Sequence, residues 1–170
     1  MEVYIKQNPD EPSIKRPEFD GDVGYDLYAR SEPEIVGTRG KKGAYKSIDY
    51  IEYDTKLQIA PTNENTFYSM VYPRSSISKY NLALANSVGI VDSGFRDTVK
   101  VRFKYIAQPS DFVLTEGKIE GVKIDKAKIY NNGDKIAQLV WGMHSHPFLN
   151  FTDTLPPSDR GMGGFGSTGR

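Results

Sequence analysis

The 170-residue sequence has no cysteine, which excludes disulfide bonds, thiolate metal sites and cysteine nucleophiles together. It has no net charge either, with 22 Lys and Arg against 22 Asp and Glu. The broad attraction that a nucleic-acid backbone or an anionic membrane needs is therefore missing, although a local arginine cluster can still hold one small anion. No apolar run approaches the ~18 residues of a membrane-spanning helix. The opening MEVYIKQNPDEPSIKRPEF is too polar for a secretory leader. The expectation is a cytoplasmic protein that touches neither nucleic acid nor membrane directly. Long helical periodicity is absent as well; only Ser75–Tyr80 has helical character, and it is brief.

What the chain does contain is turn punctuation and β-forming residues. Sixteen glycines and ten prolines fall as single residues and pairs between short runs rich in β-branched and aromatic side chains. Val3–Lys6, Tyr50–Ile59, Thr66–Val71, Thr98–Ala107 and Lys135–Val140 read as strands. From Val99 to Tyr105 apolar and basic residues alternate without a break, the period of a strand with one buried and one wet face. There is no internal repeat and no domain linker, and the length suits one domain with a real core. The fold class is all-β, as a sandwich, jelly roll or barrel. Arg30–Ser47 and Gln108–Lys128 read as peripheral segments, the second containing a hairpin from Leu114 to Gly121.

Three segments have the composition of a binding site. Pro73-Arg74-Ser75-Ser76 sets a fixed turn, a guanidinium and two hydroxyls ahead of the short helical stretch, where a serine can cap the helix while its amides face an anion. Asn86 to Arg96 reads as a strand and a turn at Asp92-Ser93-Gly94, followed by a return strand through Thr98–Tyr105, which places an acid at a hairpin tip beside Phe95 and Arg96. Leu155–Arg170 is too rich in glycine to form a packed element, yet its backbone amides, hydroxyls and arginines are the parts of an anion cradle. Two smaller features carry less. His144 and His146 would share a strand face but have no third metal ligand nearby in sequence, and Asn150-Phe151-Thr152 fits a glycosylation pattern without a secretion signal.

Five segments resemble, in order, the five motifs of the homotrimeric dUTP pyrophosphatases (dUTPases). They are Asp22–Ala29, Pro73–Ser76, Asn86–Val101, Tyr130–Val140 and Arg160–Gly169. The resemblance implies a jelly-roll-like β-barrel protomer, the β-clip of that family, assembled as a homotrimer with shared active sites. It divides the chain into a β domain, residues 1–154, and a mobile arm, residues 155–170, that closes over a neighbour's nucleotide. It implies hydrolysis of dUTP to dUMP and pyrophosphate, with Asp92 activating water for attack on the α-phosphorus and Mg²⁺ bound to the triphosphate. Arg74, Ser75, Ser76 and Gln138 would hold the α- and β-phosphates, and Arg160, Gly166 and Ser167 the γ end. Gly89, Ile90 and Val91 would read uracil with support from Asn86, Phe95 would pack on the deoxyribose, Phe165 would stack on the base, and Lys100 completes the substrate contacts. Asp26 is the candidate for a contact to the metal shell through water.

The chain departs from the family pattern at Ser76 and Asp97, where glycine is usual, at Phe95, where tyrosine is usual, and at Lys135, where arginine is common. A dCTP deaminase shares the fold, but its acid–base glutamate has no counterpart here and it lacks the glycine-rich tail. The spacings from Asp26 to Arg74 and from Arg96 to Gly133 are long. This resembles phage-encoded members with an insert, here residues 108–128, that contacts a repressor or other regulatory protein.

Overall fold

Alternation in the sequence converts directly into sheet. In the Val99–Tyr105 run Val101 and Phe103 are buried while Lys100, Arg102 and Lys104 face outward. The computed structural model describes residues 2–62, 66–159 and 161. In chain order its strands are β1 (Val3–Lys6), β2 (Ile14–Lys15), β3 (Tyr25–Tyr28), β4 (Glu34–Arg39), β5 (Tyr45–Asp54) and β6 (Gln58–Pro61). Then follow β7 (Phe67–Pro73), β8 (Leu82–Leu84), β9 (Gly89–Val91), β10 (Lys100–Tyr105), β11 (Phe112–Thr115), β12 (Lys118–Val122) and β13 (Lys135–Met143). Among the described residues the remaining regular structure is three short 3₁₀ turns, so the all-β expectation holds.

The strands form three antiparallel sheets. One runs β2-β3-β13-β7-β9, a second β11-β12-β5-β10-β8 with β4 also on β5, and a third pairs β1 with β6. Neither large sheet closes on itself, so the jelly-roll-like body is a pair of open sheets rather than a hydrogen-bonded barrel. They share one core, in which Leu27, Val71, Ile136 and Leu139 of the first sheet meet Ile51, Tyr53, Val101 and Phe103 of the second. Tyr53, Phe103 and Tyr130 pack edge to face or tilted at 5.5–6.1 Å, and the buried Tyr53 hydroxyl donates to the Tyr130 carbonyl at 2.8 Å.

Four local expectations are corrected. The run Tyr50–Ile59 is two strands, because Lys56 adopts φ 56° and Asp54 caps the break by accepting from the Lys56 amide at 2.7 Å. Arg30–Ser47, read as a peripheral segment, holds β4 and the start of β5. Bulges at Val36/Gly37 and Thr38/Arg39 interrupt its alternation, and a Cβ at Gly37 would lie 2.2 Å from the Ser47 carbonyl oxygen. The Ser75–Lys79 turn is 3₁₀ and its N-cap is Arg74, with no side-chain cap bond; Ser78 instead donates to the Ser75 carbonyl. Finally, β9 and β10 do not pair with each other. β9 joins β7 and β10 joins β5 and β8, so the segment between them passes from one sheet to the other.

The Gln108–Lys128 segment is the expected hairpin. Glu116 (φ 51°) and Gly117 (φ 76°) form its two-residue turn, the primed geometry that matches strand twist. Its base is tied down by Asp111, which accepts from the Gln108 amide at 2.7 Å and from the Tyr105 hydroxyl at 2.8 Å. Leu114 and Ile119 oppose each other across the ladder and both are exposed, at 60% and 65%.

Candidate active site

The passage from β9 to β10 opens a cleft of about 750 Å³ between the two large sheets. Asn86, Gly89, Ile90, Val91, Asp92, Phe95 and Lys100 all line it, so seven of the expected residues are brought together. The correction to the hairpin matters here: Asp92 sits at the switch between sheets, a place where side chains from both can converge. The Asp92 carbonyl accepts from the Phe95 amide at 3.0 Å, a turn that leaves the carboxylate outside the backbone bonding. Upstream, Ser87 takes φ 60° and folds the chain so that the Asn86 carboxamide lies against β9; a Cβ on Gly89 would stand 3.1 Å from its Nδ2. β9 is the edge strand of its sheet, which leaves one row of backbone donors and acceptors free for a ligand.

Glu52 and Tyr50, which sequence reading did not single out, support this cleft. Glu52 is 6% exposed and lies opposite Arg102 on β10. Its carboxylate accepts from Lys100 Nζ at 3.0 Å and from Arg102 Nε at 2.7 Å, and the Arg102 guanidinium sits 4.3 Å over the Tyr50 ring. Burial pushes the Glu52 carboxyl up, but the hydrogen bonds from Arg102 and Lys100 outweigh it and hold it below the ordinary value. The same hydrogen bond to Glu52 raises Lys100. An acid between the core residues Ile51 and Tyr53 has no signature in a single strand; only the β5–β10 pairing reveals what it faces.

A second group of expected residues gathers on the other large sheet. Asp26 accepts from Arg74 Nε and Lys135 Nζ, both at 2.8 Å and on different oxygens, and Arg74 Nη1 donates to Ser76 Oγ at 3.2 Å. The hydrogen bond to Asp26 raises Lys135. Gln138 stands opposite Asp26 on one side and Tyr72 on the other. Gly24 makes room for it, since a Cβ there would meet Gln138 Nε2 at 2.9 Å. Ser75 opens the adjoining 3₁₀ turn. Arg160, Phe165, Gly166 and Ser167 lie outside the described residues.

The two groups are far apart within one chain. Val91 pairs with Ser69, and Arg74 lies five residues further along the same strand direction, about 16 Å away at a strand's ~3.3 Å rise. The cleft lining includes Asp92 but neither Arg74, Gln138 nor Asp26. Among the described residues no three His, Asp or Glu side chains form a metal-holding group, and His144 and His146 pack ring against ring at 4.8 Å without a third ligand. Among the described residues no helix is long and apolar enough to cross a membrane.

A family model described as dUTPase matches residues 122–169. The deoxyuridine 5'-triphosphate nucleotidohydrolase of Tropheryma whipplei is 31% identical over 153 residues, covering 89% of this chain and 86% of its own. Among solved structures, the dUTPase of Staphylococcus bacteriophage 80alpha with dUPNHPP superposes with a TM-score of 0.68 at 21% identity, over 99% of both chains. The dUTPase from phage phi11 of S. aureus does so at 0.63 and 19%, over 91% and 98%. The fold, the motif order and near-full-length identity to a curated relative agree: this chain belongs to the dUTPase family, the enzymes that hydrolyse dUTP.

Proposed function

We propose that the chain hydrolyses dUTP to dUMP and pyrophosphate by attack of water on the α-phosphorus, with Asp92 as the base that orients and deprotonates that water. The observation that carries this reading is the joint lining of one cleft by Asp92, the free edge of β9 and Phe95. Uracil carries a donor–acceptor edge like that of a peptide, so the backbone of Gly89, Ile90 and Val91 can pair with it as a further strand would. Asn86 holds that edge in place, and Phe95, with no hydroxyl of its own, packs against the deoxyribose. Arg74, Ser75, Ser76 and Gln138 bind the phosphates.

The ~16 Å between the Asp92 end of β9 and Arg74 supports a shared site, because both must reach the same α-phosphate. One copy then supplies the cleft and another the Asp26–Arg74 face, in a homotrimer. The residue 155–170 arm, by its sequence, closes over the γ end.

Mg²⁺ fits as an ion carried by the triphosphate. The described residues offer no cage of acidic or imidazole ligands, and Asp26, with both oxygens on cations, suits an outer contact through water. When bound, the ion neutralises phosphate charge. The proposed location is cytoplasmic, in the host cell if the chain is phage-encoded.

Pyrophosphate release from dUTP, dTTP, dCTP and UTP tests the reading. dUTP should be preferred by at least ~10²-fold, since a steric wall against a 5-methyl or 2'-hydroxyl rejects more strongly than one lost contact. Comparable release from dTTP or UTP would refute it.

A second role for residues 108–128 is favoured by the exposed Leu114–Ile119 pair on a hairpin whose base is separately anchored. The phi11 relative carries a species-specific insert. We propose that this face binds a regulatory protein such as a repressor. Replacing 108–128 by a short Gly-Ser loop should leave dUTP hydrolysis near normal and abolish binding to a purified repressor. Collapse of hydrolysis would assign the hairpin to the catalytic body.

A further inference from the structure

One face of the five-stranded sheet carries more positive charge than its known contacts use. Asp26, Tyr28 and Arg30 follow each other at every second position, and across the ladder Lys15 stands opposite Asp26 and Lys135 opposite Tyr28. The three cations converge on one ring: Lys15 Nζ lies 5.4 Å, Arg30 Cζ 5.2 Å and Lys135 Nζ 5.8 Å from the Tyr28 centroid. Arg74 adds a fourth at the end of β7. Among the described residues one carboxylate, Asp26, pairs with any of these four cations, and it is committed to Arg74 and Lys135, while Arg30 Nη2 donates to the Pro12 carbonyl at 2.5 Å. Among the described residues Lys15 has no carboxylate partner, and Arg30 Nε is buried without a hydrogen-bond acceptor.

Clustering cations this way costs free energy through mutual repulsion. The Tyr28 quadrupole offsets part of it, and a bound anion would offset far more. The cations also form a track. From Lys15 on β2 across β3 and β13 to Arg74 beyond β7 is three strand spacings, about 14 Å. Arg74 lies at the end assigned above to the α- and β-phosphates, so the opposite end falls where the rest of the polyphosphate must run.

We propose that Lys15, with Lys135 and Arg30 arranged around Tyr28, is a clamp for the terminal phosphates of the nucleotide and for the pyrophosphate that leaves. The proposal rests on the assignment of Arg74 to the phosphates. Lys15 is the residue that defines it, because it is exposed, belongs to none of the five motifs and contacts only the Tyr28 ring among the interactions described. Tyr28 is a positioning residue: it gathers the cations without touching the ligand.

The test uses the full-length enzyme and four ligands: dUTP, dUDP, dUMP and inorganic pyrophosphate. Lys15→Gln should raise KM for dUTP and the inhibition constant for pyrophosphate about tenfold each, the effect of losing one charge-assisted contact. The affinity for dUMP should not change, and that for dUDP should change less than that for dUTP. Lys15→Arg should restore both constants. An unchanged KM and pyrophosphate constant in Lys15→Gln would overturn the clamp, as would an equal loss of dUMP affinity. Arg74→Ala serves as the control. If it raises KM while Lys15→Gln does not, only the clamp fails; if neither does, the phosphate assignment itself is wrong.

Discussion

Asp92→Asn is expected to lower kcat for dUTP on the order of 10²–10⁴-fold, the usual effect of removing a positioned general base. The substitution is nearly isosteric, and the turn beside it is held by the main chain, where the Asp92 carbonyl accepts from the Phe95 amide. Folding and base recognition should therefore survive, with the melting temperature and the dUMP affinity both unchanged. That split separates a catalytic carboxylate from a structural one. Had Asp92 served only turn geometry, the asparagine would retain most activity, since it favours the same turns. Steady-state kinetics with calorimetry on dUMP decide the matter, and near-normal kcat would end the assignment.

Arg74→Ala should raise KM for dUTP on the order of 10²-fold, more than a single surface charge would explain. The guanidinium links Asp26 and Ser76 and is assigned to the phosphates, so its removal takes away a planar donor set and frees a carboxylate at the place where phosphate must bind. Repulsion from that carboxylate adds to the lost contact. Stability should suffer little, by about 1 kcal/mol or less, because Arg74 and Asp26 are partly exposed and Lys135 still holds the second Asp26 oxygen. Arg74→Lys should rescue KM only in part, since an ammonium restores the charge without the fork. A KM within twofold of wild type for Arg74→Ala would remove this face from the site.

Strands are legible where β-branched and aromatic residues cluster between glycine and proline breaks. β1 is bounded correctly, and β7, β10 and β13 to within a few residues, because each is a run of β-forming residues between turn signals; in β10 the alternation also sets Val101 and Phe103 into the core. β4 was hidden by its two bulges, each of which shifts the alternation by one and leaves charged residues in no readable phase. The break between β5 and β6 depends on Lys56 entering left-handed backbone beside an Asp54 cap, a local event that a run of β-forming residues masks. Pairing was the deeper limit. Asn86 to Tyr105 looks like a hairpin because its turn chemistry is sound, yet β9 and β10 belong to different sheets. Which strand a segment joins is decided by distant partners such as Ser69 and Phe103 with Leu84. For the same reason, motif order points to Asp92 and Arg74 as candidates but says nothing of their separation. Glu52 and Lys15 lie outside every motif and become visible only through the residues that the ladders set beside them.

The central claim is that one chain's Asp92 works with another chain's Arg74, and mixed oligomers test it most directly. Asp92→Asn and Arg74→Ala, each nearly inactive at low dUTP, are co-refolded in equal amounts and assayed for pyrophosphate release. If each site draws the two residues from different copies, random assembly makes about a quarter of the sites fully wild type, and activity should recover to about a quarter of normal. If both residues act from the same chain no intact site can form. Activity no higher than the mean of the two parent variants would then contradict the account.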